Sequence, residues 1–222
     1  MYTYAFLLNE TPLELPEGIW GSLELVGVDR LAALIEPELQ LESVQQSDRQ
    51  LMQALLSHDR VIQEVFQQTT VLPLRFGTCF VSRARLLEHL QTHQLEYLEK
   101  LDYLQGKAEY VLKFSPLPYV EPTLESGLAG KAYFLAKKQL YQKQAAWQQQ
   151  QQAELQSLHS LVEEHYPEAI RGGSAEDGIE RVYLLLTGKT AIQLQAHLQV
   201  WQPQFSTWEL SLSNTLPPYH FV

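Results

Sequence analysis

Apolar and polar positions change their period several times along the chain, and each change marks an element. Tyr2 to Leu8 is an unbroken aromatic and apolar run that ends at Asn9-Glu10-Thr11-Pro12, which predicts a strand entering a loop. Between Gly18 and Leu39, short apolar pieces are broken by glycine and proline, with strands expected near Leu23–Val28 and Ala32–Ile35. Ser47 followed by Gln50 resembles a capping box, which satisfies free backbone N–H groups at a helix start. Leu51, Leu55, His58, Ile62 and Val65 then recur at helical spacing, predicting an amphipathic helix of about five turns. Thr69 to Leu74 returns to a strand-like run ahead of Arg75-Phe76-Gly77. After Ser82 a second helix carries the stripe Leu86, Leu90, Tyr97, Leu101 and Leu104, and Gly106 suits its end.

The second half has a clearer order. Ala108, Tyr110, Leu112 and Phe114 alternate with Glu109, Val111 and Lys113, predicting a strand with one strongly apolar face. A long helix is expected from about Ser126 to His165, a short strand at Ala169 to Arg171, and a loop at Gly172 to Gly178. Ile179 to Leu186 suits a central strand, Thr190 to Val200 a helix stopped by Pro203, and Trp208, Leu210 and Leu212 one face of a last strand. This β-α-β-β-α-β order is the ferredoxin-like one, in which two helices cover one face of an antiparallel sheet. The fold class is therefore α+β in two domains, residues 1–106 and 107–222. The second is ferredoxin-like with a long first helix.

One stretch departs from a compact plan. Gln142 to Gln156 reads QKQAAWQQQQQAELQ, with few apolar anchors. If helical throughout, Ser126 to His165 would span on the order of 60 Å. The stretch reads either as a solvated helix or Gln-rich loop, or as an arm whose Trp147 and nearby Lys137, Lys138 and Lys143 meet another protein.

Composition narrows the function classes. Hydrophobic residues make up 45% and charged residues 19%, a globular balance. The net charge of −10 counts against a nucleic-acid partner, which favours a basic face. The single cysteine, Cys79, excludes an internal disulfide framework and a Cys-rich metal site, and between Thr78 and Phe80, without a visible basic activator, it reads as a small buried hydrophobe. No apolar stretch reaches the roughly 18 to 20 residues needed to cross a bilayer. The opening MYTYAFLLNE lacks a basic leader, so a cytoplasmic location is expected.

Motifs for covalent chemistry are weak. Thr187-Gly188-Lys189-Thr190 resembles the end of a phosphate-binding loop, but Tyr183 stands where that loop needs its first glycine, so a strand-to-helix turn is the reading. His89 and His93 share a helical face without an evident third ligand, and that face reads as solvated. His58 lies on the apolar stripe of its helix and reads as a hydrogen-bonded histidine near the core. No catalytic residue, metal ligand or cofactor site is assigned.

Two segments concentrate proline, aromatic and apolar residues: Thr70 to Phe80, TVLPLRFGTCF, and Leu216 to Val222, LPPYHFV. Pro73 cannot donate to a ladder, which places its strand at an edge or ends it there. Arg75, between Leu74 and Phe76, serves either as an internal clamp or as a partner contact. Pro217 and Pro218 pre-extend the tail, so it loses little entropy on docking, whether on its own protein or with Tyr219 and Phe221 presented to another. Pro73, Arg75, Phe76, Pro217, Pro218, Tyr219 and Phe221 are the candidate contact residues.

Together with the opening strand YTYAFLL and the His58 helix, the two segments resemble the gas vesicle protein F/L family, and TVLPLRFGT is fairly specific for it. Family members commonly carry Gly-Pro-Trp before Pro-Pro-Tyr, where this chain has Asn214-Thr215-Leu216-Pro217, so no role needing that tryptophan carries over. The resemblance implies a non-enzymatic, vesicle-associated accessory protein. It would contact the apolar shell protein and other accessory proteins, with no nucleic acid or membrane as partner. A small-molecule-sensing module built from paired ferredoxin-like domains is the alternative.

Overall fold

The structure, a computed structural model, describes residues 1–9, 12–44, 47–123, 130–173 and 177–222. The helix start expected at Ser126, and Glu10, Thr11 and residues 174–176 of the two loops, lie outside them. The chain divides into two compact units, Met1–Glu109 with Thr215–Val222, and Tyr110–Asn214. The tail expected within 107–222 thus groups with the first unit, because its polar contacts lie on Asp59 and Glu109.

In the first unit, strands β1 (Tyr2–Leu8), β2 (Glu24–Val28) and β3 (Leu31–Glu36) are followed by the short helix α1 (Leu41–Val44) and by α2 (Asp48–Phe66). Strand β4 (Val71–Pro73) and helices α3 (Arg83–Thr92) and α4 (Gln94–Leu104) complete it. The sheet runs β2-β3-β1-β4 with antiparallel neighbours. Every residue from Tyr2 to Leu7 is buried, as expected where both faces of a strand are covered. A register shift between Thr3 and Ala5 keeps Tyr2, Tyr4, Ala5 and Leu7 in the core packed by α2. Phe6 points the other way and packs on Tyr97 of α4, ring centroids 4.8 Å apart.

Ser47 caps α2, its hydroxyl accepting from the Gln50 N–H at 3.3 Å and donating to Gln50 Oε1 at 3.0 Å. The single helix expected after Ser82 is instead two, broken at His93, whose backbone leaves the helical region. Glycine and proline are absent there, so local pattern gives no sign of the break. His89, on the face expected to be solvated, packs with Phe6, Phe80, His93 and Tyr97, and its Nε2 lies 2.8 Å from the Tyr97 hydroxyl.

Glu36 and His58 are among the polar groups buried in the first unit. Glu36 is 2% exposed and accepts from the Tyr4 hydroxyl and the backbone N–H groups of Ile19, Trp20 and Gly21. A Cβ on Gly18 would collide with that carboxylate and lie 2.7 Å from the Gly21 carbonyl, so only glycine lets the loop wrap the acid. His58 is 6% exposed, with Nε2 3.0 Å from the Leu74 carbonyl and Nδ1 2.8 Å from the Tyr2 hydroxyl. A carbonyl only accepts, so Nε2 carries the proton and Nδ1 accepts from Tyr2.

Strand β5 (Lys107–Pro116) leads into the second unit, followed by α5 (Lys131–His165), β6 (Ile170–Arg171), β7 (Glu180–Thr187), α6 (Gly188–Trp201) and β8 (Trp208–Leu212). Its sheet order is β6-β7-β5-β8. Leu158 and Val162 of α5 and Ala191, Leu194 and Trp201 of α6 share one core with Leu112, Phe114, Val182 and Leu184. Thr187 caps α6 by accepting from the Thr190 N–H, which accounts for the Thr-Gly-Lys-Thr motif structurally.

The Gln-rich stretch is helical throughout. Trp208 Nε1 donates to the Gln151 carbonyl at 2.8 Å, and Gln151 Nε2 donates to the carbonyls of Leu117 and Thr207. Glu154 accepts from the Thr207 N–H and hydroxyl and from Gln150 and Ser206. Burial raises the Glu154 pKa, but these donors outweigh it and leave the carboxyl below its ordinary value. By contrast, no side chain of residues 131–146 is buried.

Burial holds His58 neutral below its ordinary value of 6.5, outweighing the Leu74 carbonyl and Asp59, which favour the cation. As pH falls the unfolded chain therefore takes up this proton before the folded one. The stability tied to neutral His58 is complete above 6.5 and is lost progressively below it. Urea unfolding on both sides of that pH should show His58→Gln losing less stability on acidification than the wild-type chain. Equal losses would show that His58 is not the group responsible.

Candidate functional site

The site expected from sequence lies in the first unit, where β4 ends and the chain turns back along the start of β1. Pro73 pairs with Ala5 in the edge strand of the sheet, so its missing N–H falls where the ladder stops. The Leu74 N–H donates to the Tyr4 carbonyl at 2.9 Å. A tight turn follows. The Thr78 N–H and hydroxyl both donate to the Arg75 carbonyl, and Gly77 takes φ +89°, a conformation that favours glycine. Beyond the turn the chain rejoins β1 through Thr3 N–H to the Thr78 carbonyl and Phe80 N–H to the Met1 carbonyl.

This turn sends Phe76 and Arg75 to different surroundings. Phe76 meets the rings of His58 and Tyr2 edge-on, at centroid distances of 5.6 and 5.9 Å. Arg75 is exposed, and its guanidinium makes no ion pair among the described residues. Arg75 borders a cleft of about 320 Å³ whose apolar floor includes Phe6, Leu72 and Pro73. Tyr97 and Lys100 of α4 line another side, and Val222 also lines it. Lys100 pairs with Glu96 at 3.1 Å, and among the described residues no acid lines the cleft itself.

The tail is docked on its own unit. Leu216 and Glu109 exchange two backbone hydrogen bonds, each 2.9 Å. Pro217 and Pro218 are buried, and Tyr219 packs against the α2 core and donates its hydroxyl proton to Asp59. Gln63 donates to the other Asp59 oxygen at 2.7 Å. Burial pushes the Tyr219 hydroxyl well above its ordinary pKa, and the Asp59 carboxylate adds to the shift. The His220 N–H and Nδ1 lie 2.8 and 2.7 Å from the two oxygens of Glu109, which is 1% exposed. Phe221 is half-buried.

Pro73, Arg75 and the tail's end thus meet around one cleft, while Phe76, Pro217, Pro218 and Tyr219 form internal packing beside it. Sequence reasoning missed Asp59 and Glu109 as anchors for the tail, and Phe6, Tyr97 and Lys100 as cleft walls. Glu109 alternates with apolar residues and so reads as a solvent position, although the tail covers it. Cys79, expected to be buried, is exposed, because the segment after Gly77 runs beside β1 with Cys79 opposite Tyr2 and its side chain outward.

Replacing the Tyr219 hydroxyl removes one donor to Asp59, so Tyr219→Phe should lower stability by about 1–2 kcal/mol in urea unfolding. Glu109→Ala should cost more, because it leaves both His220 donors without their buried acceptor. A Glu109→Ala chain as stable as wild type would show that the tail does not depend on this anchor.

A sequence model of the family described as "Gas vesicle synthesis protein GvpL/GvpF" matches residues 1–222. No curated protein sequence matches the chain. Among solved structures, gas vesicle protein GvpF from Microcystis aeruginosa is 18% identical, with 99% of this chain and 97% of that chain covered at a TM-score of 0.67. Gas vesicle protein GvpF from Anabaena sp. PCC7120 is 16% identical, with 99% and 94% covered at a TM-score of 0.68. The structural likeness shows a shared fold. With the family match running the full length of the sequence, the chain belongs to the GvpL/GvpF family of gas vesicle synthesis proteins.

Proposed function

We propose that this chain is a minor, shell-associated accessory protein of gas vesicle assembly that binds the apolar shell protein and helps nucleate or extend the vesicle wall. It works in the cytoplasm in association with the gas vesicle, alongside other accessory proteins, by contact rather than by catalysis. The mechanism is mass action. Binding apolar subunits before they assemble lowers the population free to aggregate, by an amount set by concentration relative to Kd.

The observation that carries this reading is the cleft beside the turn of TVLPLRFGT. Arg75, exposed and without an ion pair among the described residues, borders the same cleft as Phe6, Leu72 and Pro73. A guanidinium next to apolar surface suits a partner segment that pairs apolar side chains with a carboxylate or free carbonyls. The docked tail supplies one wall, so Pro217, Pro218 and Tyr219 act by holding that wall in place. In the second unit, the strand order β6-β7-β5-β8 with two helices sharing one core supports a ferredoxin-like reading, with residues 107–222 as its sequence span apart from the docked tail.

Purified chain and shell protein should co-sediment or pull down together. Arg75→Glu should cut that capture while changing stability by no more than about 0.5 kcal/mol, as for an exposed residue without partners. Absence of association in every assembly state of the shell protein would count heavily against the reading. Loss of stability in Arg75→Glu would return the residue to a structural role. Thermal stabilisation by a small carboxylate alone, without shell binding, would favour the sensing alternative.

A further inference from the structure

Among the described residues, the 131–146 part of α5 buries no side chain. Phe134 is 71% exposed and Tyr141, seven residues on, is 60% exposed. With Ala145 they form a seam bordered by Lys137 and Lys138. Seven-residue spacing of large side chains with flanking charges is the pattern by which one helix lies along another. Four lysines, at 131, 137, 138 and 143, occur here without one acid, in a chain whose net charge is −10. Two such seams repel each other.

The complementary surface is on α4. Leu95 is 73% exposed and Tyr103 is 45% exposed, and Glu99 and Asp102 lie between them, exposed on the same helix. Positions 95, 99, 102 and 103 follow the i, i+4, i+7, i+8 spacing of one helical face. Lys100 pairs with Glu96, and Lys107 lies over the Tyr103 ring at 3.6 Å, so Glu99 and Asp102 give this face its acidic character. One helix thus carries an aromatic seam edged with lysine, and another an apolar seam edged with acids.

We propose that the Lys131–Ala145 part of α5 docks on the Leu95–Tyr103 face of α4 in a second copy of this chain. Each copy offers one face of each kind, so the contact is head-to-tail and propagates from copy to copy. The seam is short and its charges are exposed, which makes the association weak and sensitive to salt. The inference is independent of shell binding at the Arg75 cleft.

Sedimentation velocity of the full chain tests it. The wild-type chain should associate as concentration rises at low salt and dissociate at high salt. Lys137→Glu with Lys138→Glu should weaken self-association about tenfold or more, as should Glu99→Lys with Asp102→Lys in a separate chain. Neither change should alter the thermal unfolding of exposed-surface variants. Mixing the two variants should restore association, because opposite charges again face each other. A wild-type chain that stays monomeric at low salt, variants that associate as the wild type does, or a mixture that stays dissociated would each overturn the proposal. Binding of the monomeric wild-type chain to phosphatidylserine vesicles, lost in Lys137→Glu/Lys138→Glu, would also overturn it and assign the seam to a lipid surface.

Discussion

A carboxylate survives inside a protein only where donors replace the water it loses, and the first unit is arranged around that requirement. Glu36 draws the loop holding Gly18 into the sheet through three backbone N–H groups and Tyr4. Glu109 holds the tail through the N–H and Nδ1 of His220, and Asp59 takes the Tyr219 hydroxyl. Each acid thereby fixes a segment with little regular structure of its own. Removing either buried acid strands several donors at once, so these contacts specify the fold more than their number suggests.

The same demand shapes the cleft. Tyr2 and Tyr4 spend their hydroxyls on His58 and Glu36 inside the core, and the Tyr2 ring helps seat Phe76. Phe76 turned inward leaves Arg75 turned outward, with the tight turn at Gly77 making the difference between them. The cleft's exposed cation is therefore a product of internal packing. Its position depends on residues buried in the core.

Much of this was legible before the structure. The Ser47 cap and apolar stripe located α2, and period-two alternation located β5 and β8. Other features left no local trace. The break at His93 has no glycine or proline because tertiary packing of His89, His93 and Tyr97 decides it. Gln150 and Gln151 read as solvated from composition, yet they bond the segment leading into β8, since a glutamine amide serves backbone groups as well as water does. Glu109 read as a surface position in an alternating strand. What covers it arrives from residues over a hundred positions away, a separation that no pattern within a window reports.

The docking of the tail has a consequence for how the molecule is made. Tyr219 meets Asp59 across a separation of 160 positions, and the whole of Tyr110–Asn214 lies between the two parts of the first unit. On the ribosome, the first unit must therefore wait, with Glu109 and Asp59 unanswered, until the intervening unit has been translated. The last contacts formed are slow ones to close. A chain stopped before Thr215 would hold every strand and helix of both units and still lack the Val222 side of the cleft beside Arg75.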